Sequence, residues 1–272
     1  MDSYNQNNYS GGFSEPQTGY NGQFNDGYNG QPQNYDDLAG GFESGNVVHT
    51  TMSQLKGLMA EEVINKSFLF MTAALLISAF SAYTARYTVL MWIASNPINL
   101  YVLFGAEIAV VLIANFAIRK NQPIVIGILY TIYAYLTGAT VGIILMIYTA
   151  ESVTAVFLIT AIMFGVMSVY GLITKNDLSS IGSLLFMGLI GIIVAGVVNM
   201  FLRSSMIDMI VCIVGVLIFV GLTAYDAQKI KRMAATATAE STLTLALVGG
   251  FELYLDFVNL FLKLLRILGK RK

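Results

Sequence analysis

The sequence predicts an all-α integral membrane protein: a bundle of seven transmembrane helices with the last one central, preceded by a disordered N-terminal tail. Three observations carry this. First, the 272 residues are 56% hydrophobic and only 11% charged, whereas a soluble domain carries about 25% charged residues. Second, the apolar residues gather into seven runs, near 67–86, 98–118, 124–148, 153–173, 179–201, 206–225 and 242–267. Each run is close to the ~20 residues that cross ~30 Å of hydrocarbon as a helix. Third, the seventh run carries a single polar stripe, as expected of a helix surrounded by others. The alternating polarity of a membrane β-barrel is absent, and a helix satisfies its own backbone hydrogen bonds in lipid.

Residues 1–45 form the tail. They repeat Asn, Gln, Gly and Tyr, as in Tyr20-Asn21-Gly22-Gln23 and Tyr28-Asn29-Gly30-Gln31, and hold six acids with no Lys or Arg. So little aliphatic surface cannot offset the entropy of folding. Residues 46–272 form the membrane domain. It opens on an amphipathic approach segment, 46–66, with Lys56, Glu61, Glu62 and Lys66. No basic region followed by an apolar run opens the chain, so the first span is expected to serve as an uncleaved insertion signal.

Short polar breaks separate the spans: Asn96-Pro97, Arg119 to Pro123, Ala150 to Ser152, Thr174 to Asp177, Arg203 to Ser205, and a longer connection over 226–241. Small residues at close spacing, Gly138 with Gly142 and Gly188 with Gly191 and Gly196, are expected to let helix backbones approach. Lys and Arg in the loops favour a cytoplasmic tail. That side would hold Lys56, Lys66, Arg119, Lys120, Lys175, Lys229, Lys231 and Arg232, and the other Arg86 and Arg203. Seven full crossings would then put Lys270, Arg271 and Lys272 outside, against the rule. The sequence leaves open whether the seventh segment crosses completely.

Several functions are excluded or disfavoured. Beyond the tail, fifteen bases against ten acids are too few and too scattered for a nucleic-acid binder. Cys212 is the sole cysteine, so an intrachain disulfide and a thiolate cluster are impossible. His49 is the sole histidine and precedes the first span. A membrane serine protease would lack its base, and a histidine-bound metal its ligands. Nothing around Asp226 and Asp256 matches a membrane aspartyl protease, and no inverted repeat suggests a secondary transporter. No enzyme activity and no cofactor is expected.

The candidate site comes from ionisable groups within apolar runs, which are costly in lipid and turn toward protein or water. Glu107 lies within the second run, Asp226 closes the sixth, and Asp256 sits in the seventh. Glu252, Asp256, Asn259, Lys263 and Arg266 follow one another at spacings of 4, 3, 4 and 3. At 100° per residue they occupy an arc of about 80°. Such a stripe serves either as a structural ladder to neighbouring helices or as an ion pathway. Arg119, at the end of the second run, is either an anchor to the headgroups or a mobile partner for a buried carboxylate.

The runs Ala224-Tyr225-Asp226-Ala227-Gln228-Lys229-Ile230 and Leu253-Tyr254-Leu255-Asp256-Phe257-Val258-Asn259-Leu260-Phe261-Leu262, the latter continuing through Leu264-Leu265-Arg266-Ile267-Leu268-Gly269, resemble the transmembrane Bax inhibitor motif family, in its YccA-like bacterial branch. Thr174-Lys175-Asn176-Asp177-Leu178-Ser179 adds weaker support. The resemblance covers about residues 50–272 and leaves the tail unexplained. It implies a seven-helix bundle around the last helix, in a bacterial cytoplasmic membrane, and a pH-sensitive calcium leak. Asp226 and Asp256 would be the paired aspartates and a weak, transient calcium site, Arg119 a latch on one of them, and Glu107 a further acidic position. It also implies a rival role, binding and modulating a membrane-anchored protease through the exposed tail.

Overall fold

In the computed structural model, which describes residues 44–272, eight helices follow one another: α1 (Ser44–Thr84), α2 (Arg86–Ser95), α3 (Ile98–Arg119), α4 (Pro123–Leu145), α5 (Ala150–Ile173), α6 (Ser179–Leu202), α7 (Ser205–Ala235) and α8 (Thr242–Leu268). Among the described residues no strand forms, and seven of the helices are long and apolar enough to cross a membrane. The exception is α2, whose 10 residues rise only about 15 Å. The segment expected to be a disordered tail lies outside the described residues, apart from its last two positions.

The helix boundaries follow local chemistry. Pro123 opens α4 at a position where its missing N–H costs nothing. Thr149 and Ser204 cap α5 and α7, their hydroxyls each accepting a backbone N–H three residues on. Two boundaries differ from the sequence reading. The approach segment and the first span are one continuous helix, α1. The sixth apolar run ends near Tyr225, yet α7 continues to Ala235. Lys229, Lys231 and Arg232 are good helix formers and prolong it. Asp226 therefore lies inside a helix rather than at its end.

The last helix is the hub. In its hydrophobic stretch 61% of the residues are buried, against 6% in α6. It packs on α4, α5 and α7 and reaches α1 through Gly250, where a Cβ would come within 2.8 Å of the Ser67 carbonyl. Gly138 and Gly142 bring α4 against the α1 backbone at Ser78 and Ala82, as expected of small residues in a membrane bundle. The other expected glycines behave differently. A Cβ on Gly188 would touch Ile218, but Gly191 and Gly196 face open space.

The turns sort to two ends. Thr244 donates a 2.5 Å hydrogen bond to Asn121, and Asn121 donates to the Glu240 carbonyl at 3.3 Å, so the α3–α4 turn sits beside the start of α8. At the opposite end the Thr149 N–H donates to the Lys270 carbonyl at 2.9 Å and the Lys272 N–H to the Ile147 carbonyl at 3.0 Å. α8 thus begins at one end of the bundle and finishes at the other. Its 27 residues rise about 40 Å, enough for a complete crossing.

Candidate functional site

The polar stripe of α8 faces a crevice. α6 packs along α7 and stands off α8. The gap is a cavity of about 770 Å³ lined by Ser179, Tyr225, Asp226, Lys229, Glu252, Asp256, Asn259 and Lys263, among mostly apolar neighbours. A second cavity of about 420 Å³, lined by Asn199, Arg203, Ser204, Asp208, Lys263 and Arg266, continues it toward the other end. Gly196, Val211 and Lys263 border both.

The stripe's side chains meet different partners turn by turn. At the first turn the Lys229 ammonium donates to Glu252 Oε1 at 2.5 Å, leaving Glu252 Oε2 buried without a partner. One turn on, Asp226 and Asp256 line the same crevice. Two carboxyls facing one largely apolar space cannot both ionise cheaply. Asp256 is 4% exposed, and its Oδ2 is buried without a hydrogen-bond partner. Asn259 turns back to donate to the Leu255 carbonyl at 2.8 Å. At the far end Arg266 Nε donates to Asp208 Oδ2 at 2.6 Å.

Of the residues singled out from the sequence, Asp226, Glu252, Asp256, Asn259 and Lys263 converge on the crevice. Arg119 and Glu107 do not line it. Arg119 is exposed at the last turn of α3, and among the described residues it forms no ion pair. Glu107 is half-buried between α3 and α4, where Thr140 donates to it at 2.9 Å. Two participants escaped the sequence reading. Lys229 counted as a loop cation because it follows the apolar run, and Asp208 sits in the first turn of α7.

At the Ser179 end of the crevice, polar contacts tie the α5–α6 turn to α7. Gln228, buried on α7, donates to the Asn176 carbonyl at 2.7 Å and accepts from the Leu178 N–H at 2.9 Å. Arg232 donates to Asp177 and to the Ser179 hydroxyl, each at 2.7 Å. Asp177 lies in the α5–α6 turn, outside the spans. Its carboxyl is held below the ordinary carboxylate value first by the Ser179 hydroxyl and backbone N–H, and then by Arg232.

The arrangement can hold and release a proton and can attract a cation. Among the described residues no group of three or more His, Cys, Asp or Glu converges on one metal position. Asp226 and Asp256 offer at most four oxygens to calcium, which takes six to eight. Water would supply the rest, giving a weak site suited to passage rather than storage.

Comparison with known proteins agrees with this architecture. A family model described as "Inhibitor of apoptosis-promoting Bax1" matches residues 60–272. The inner membrane protein YbhL of Escherichia coli K12 is 43% identical over 208 residues, 75% of this chain and 89% of YbhL. An uncharacterized protein of Borreliella burgdorferi is 40% identical over 230 residues, 83% of this chain and 99% of its own length. An uncharacterized membrane protein of Streptococcus pyogenes is 36% identical over 198 residues, 71% of this chain and 86% of its own length. The chain is a multi-pass membrane protein that belongs to the Bax inhibitor family.

Proposed function

We propose that this protein is a pH-sensitive calcium leak of a bacterial inner membrane, with the Asp226–Asp256 pair as its proton-sharing ion site. One observation carries the reading most. The carboxyls of Asp226 and Asp256, the latter almost wholly buried, share a crevice running along a membrane-crossing bundle. Ionisable groups at such depth mark ion or proton pathways more often than structural joints. The name of YbhL supports the inner membrane, and the Lys and Arg distribution supports a cytoplasmic tail. With one proton shared, the pair carries a single charge. Loss of that proton leaves two charges, which a divalent cation neutralises. Arg119 remains a candidate latch only through a movement of α3 toward the crevice.

The test is calcium uptake into liposomes holding the purified protein, from pH 6 to 8, beside Asp256→Asn. Uptake that varies with pH in the wild type and not in the variant is the expected result. Wild-type uptake equal to that of empty liposomes at every pH would falsify the leak. The second reading, a non-conducting regulator of a membrane-anchored protease, draws on the composition of residues 1–45. Deleting the tail should then abolish protease binding and leave any leak intact.

A further inference from the structure

We propose that Lys263 is the electrostatic barrier of the crevice, the residue that sets how fast cations pass between its two chambers. This rests on the leak reading and adds to it the point of control.

The geometry singles out this residue. The two cavities share only Gly196, Val211 and Lys263 among the residues that line them. Gly196 has no side chain and faces open space, and Val211 is apolar. The junction therefore holds one charge, the Lys263 ammonium. Every other cation of the α8 stripe and its partners is neutralised nearby, Lys229 by Glu252 at 2.5 Å and Arg266 by Asp208 at 2.6 Å. Among the described residues Lys263 has neither an ion pair nor a hydrogen bond. Its placement is built into α7 as well. A Cβ on Gly215 would come within 3.2 Å of the Lys263 stem, so the stem lies closely against α7 where that helix has no side chain.

The physical consequence is direct. The carboxyl pair lies about two turns of α8 away, roughly 10 Å. It attracts a cation into the first chamber, and a lone ammonium at the exit repels it. Even with the screening of bulk water, a unit positive charge about 6 Å from a divalent ion slows its passage roughly tenfold, and a lower dielectric raises the factor. A leak that must stay slow gains from such a brake, and movement of one flexible side chain releases it.

The test compares wild type, Asp256→Asn, Lys263→Gln and Lys263→Glu, each full length and purified, in the same liposome calcium assay. Gln and Glu have nearly equal volume, so their difference reads charge alone. Expected is a rise of about tenfold for Lys263→Gln, with Lys263→Glu higher again. Lys263→Gln no faster than wild type, or Lys263→Glu equal to Lys263→Gln, overturns the barrier. The two proposals fail separately. A leak lost in Asp256→Asn but unchanged in Lys263→Gln removes the barrier and keeps the carboxylate leak. A leak insensitive to Asp256→Asn but raised through Gln to Glu keeps the barrier and removes the carboxyl pair from control. Silence from wild type and both Lys263 variants ends both. Elution of each variant as wild type does, and an unchanged melting temperature, show that a null result is not misfolding.

Discussion

The two faces of α8 obey different rules. Toward α1, α4 and α5 the helix is packed and hydrogen-bonded, and the cavity of about 290 Å³ left there, bordered by Leu75, Phe157, Phe257 and Phe261, has an almost wholly apolar lining. Tyr254, fully buried, shares a 2.7 Å hydrogen bond with Ser78. The Ser78 hydroxyl also lies 2.8 Å from the Ala134 carbonyl, and Tyr130 donates to the Gly250 carbonyl at 2.9 Å. Tyr130, Tyr133, Phe251 and Tyr254 pack edge to face beside them. Toward α6 the same helix faces open cavities and leaves carboxyl oxygens of Glu252 and Asp256 without partners. Buried polar groups are normally satisfied. Unpaired carboxyl oxygens on this face, where α4 and α5 leave only the neutral hydroxyls of Thr137 and Ser168 unpaired, mark it as built for something other than stability.

If the contrast is real, stability should reside in the packed side and activity in the open one. The largest expected effect is on packing. Gly138→Val would drive a side chain into the α1 backbone at Ser78. Overpacking of a close helix contact costs about 3 kcal/mol, read as a marked fall in melting temperature in detergent. Gly191→Val, where a Cβ meets nothing within 4 Å, should stay within about 0.5 kcal/mol of wild type. Equal losses from both would erase the distinction between the sides.

Next comes Asp256→Asn. It should cut calcium flux about tenfold or more, an increase of about 1.4 kcal/mol in the barrier. Stability should be unchanged or slightly improved, because a buried charge without full compensation gives way to a neutral amide. A large drop in melting temperature would instead make the pair a structural joint.

The mirror experiment on the packed side is Tyr254→Phe. It removes one hydroxyl and leaves Ser78 its bond to Ala134, so about 1 kcal/mol of stability should go. Flux should not change. Altered flux with unaltered stability would show that the aromatic face takes part in conduction.

Sequence and structure agree best where a single helix carries the signal. The spacing of Glu252, Asp256, Asn259, Lys263 and Arg266 placed them on one face because helical periodicity depends only on α8 itself. Partners on another helix leave no such trace. Lys229 stands beyond the apolar run of α7, and hydropathy cannot tell a helix that outlasts its run from a loop. The Asp208–Arg266 pair joins residues 58 positions apart, a distance that no local pattern reads. The glycines teach the same point. Spacing marks where helices could approach, as Gly138 and Gly142 do, but Gly196 borders the crevice and Gly191 meets no neighbour, because α6 packs on one side only. Arg119 was given a role by resemblance, and its exposed place at the end of α3 leaves that role dependent on motion.

The smallest expected effect concerns how the loosest helix is tethered. α6 is pinned at its start by Asp177, Ser179 and Arg232, which lie in solvent rather than on either face of α8. Because the Asp177 carboxyl is held below its ordinary value of 3.8, ionised Asp177 favours the folded state. Its contribution is fully present above the unfolded value and is lost as pH falls through the lowered one. Asp177→Asn should therefore melt slightly below wild type at pH 7, and the gap should close as pH falls below about 4. Salt should shrink it too, since exposed pairs are screened. A gap that keeps its full size however far the pH falls would trace it to the neutral hydrogen bonds from Ser179 that Asp177 accepts, and the start of α6 would then be held by groups indifferent to acid.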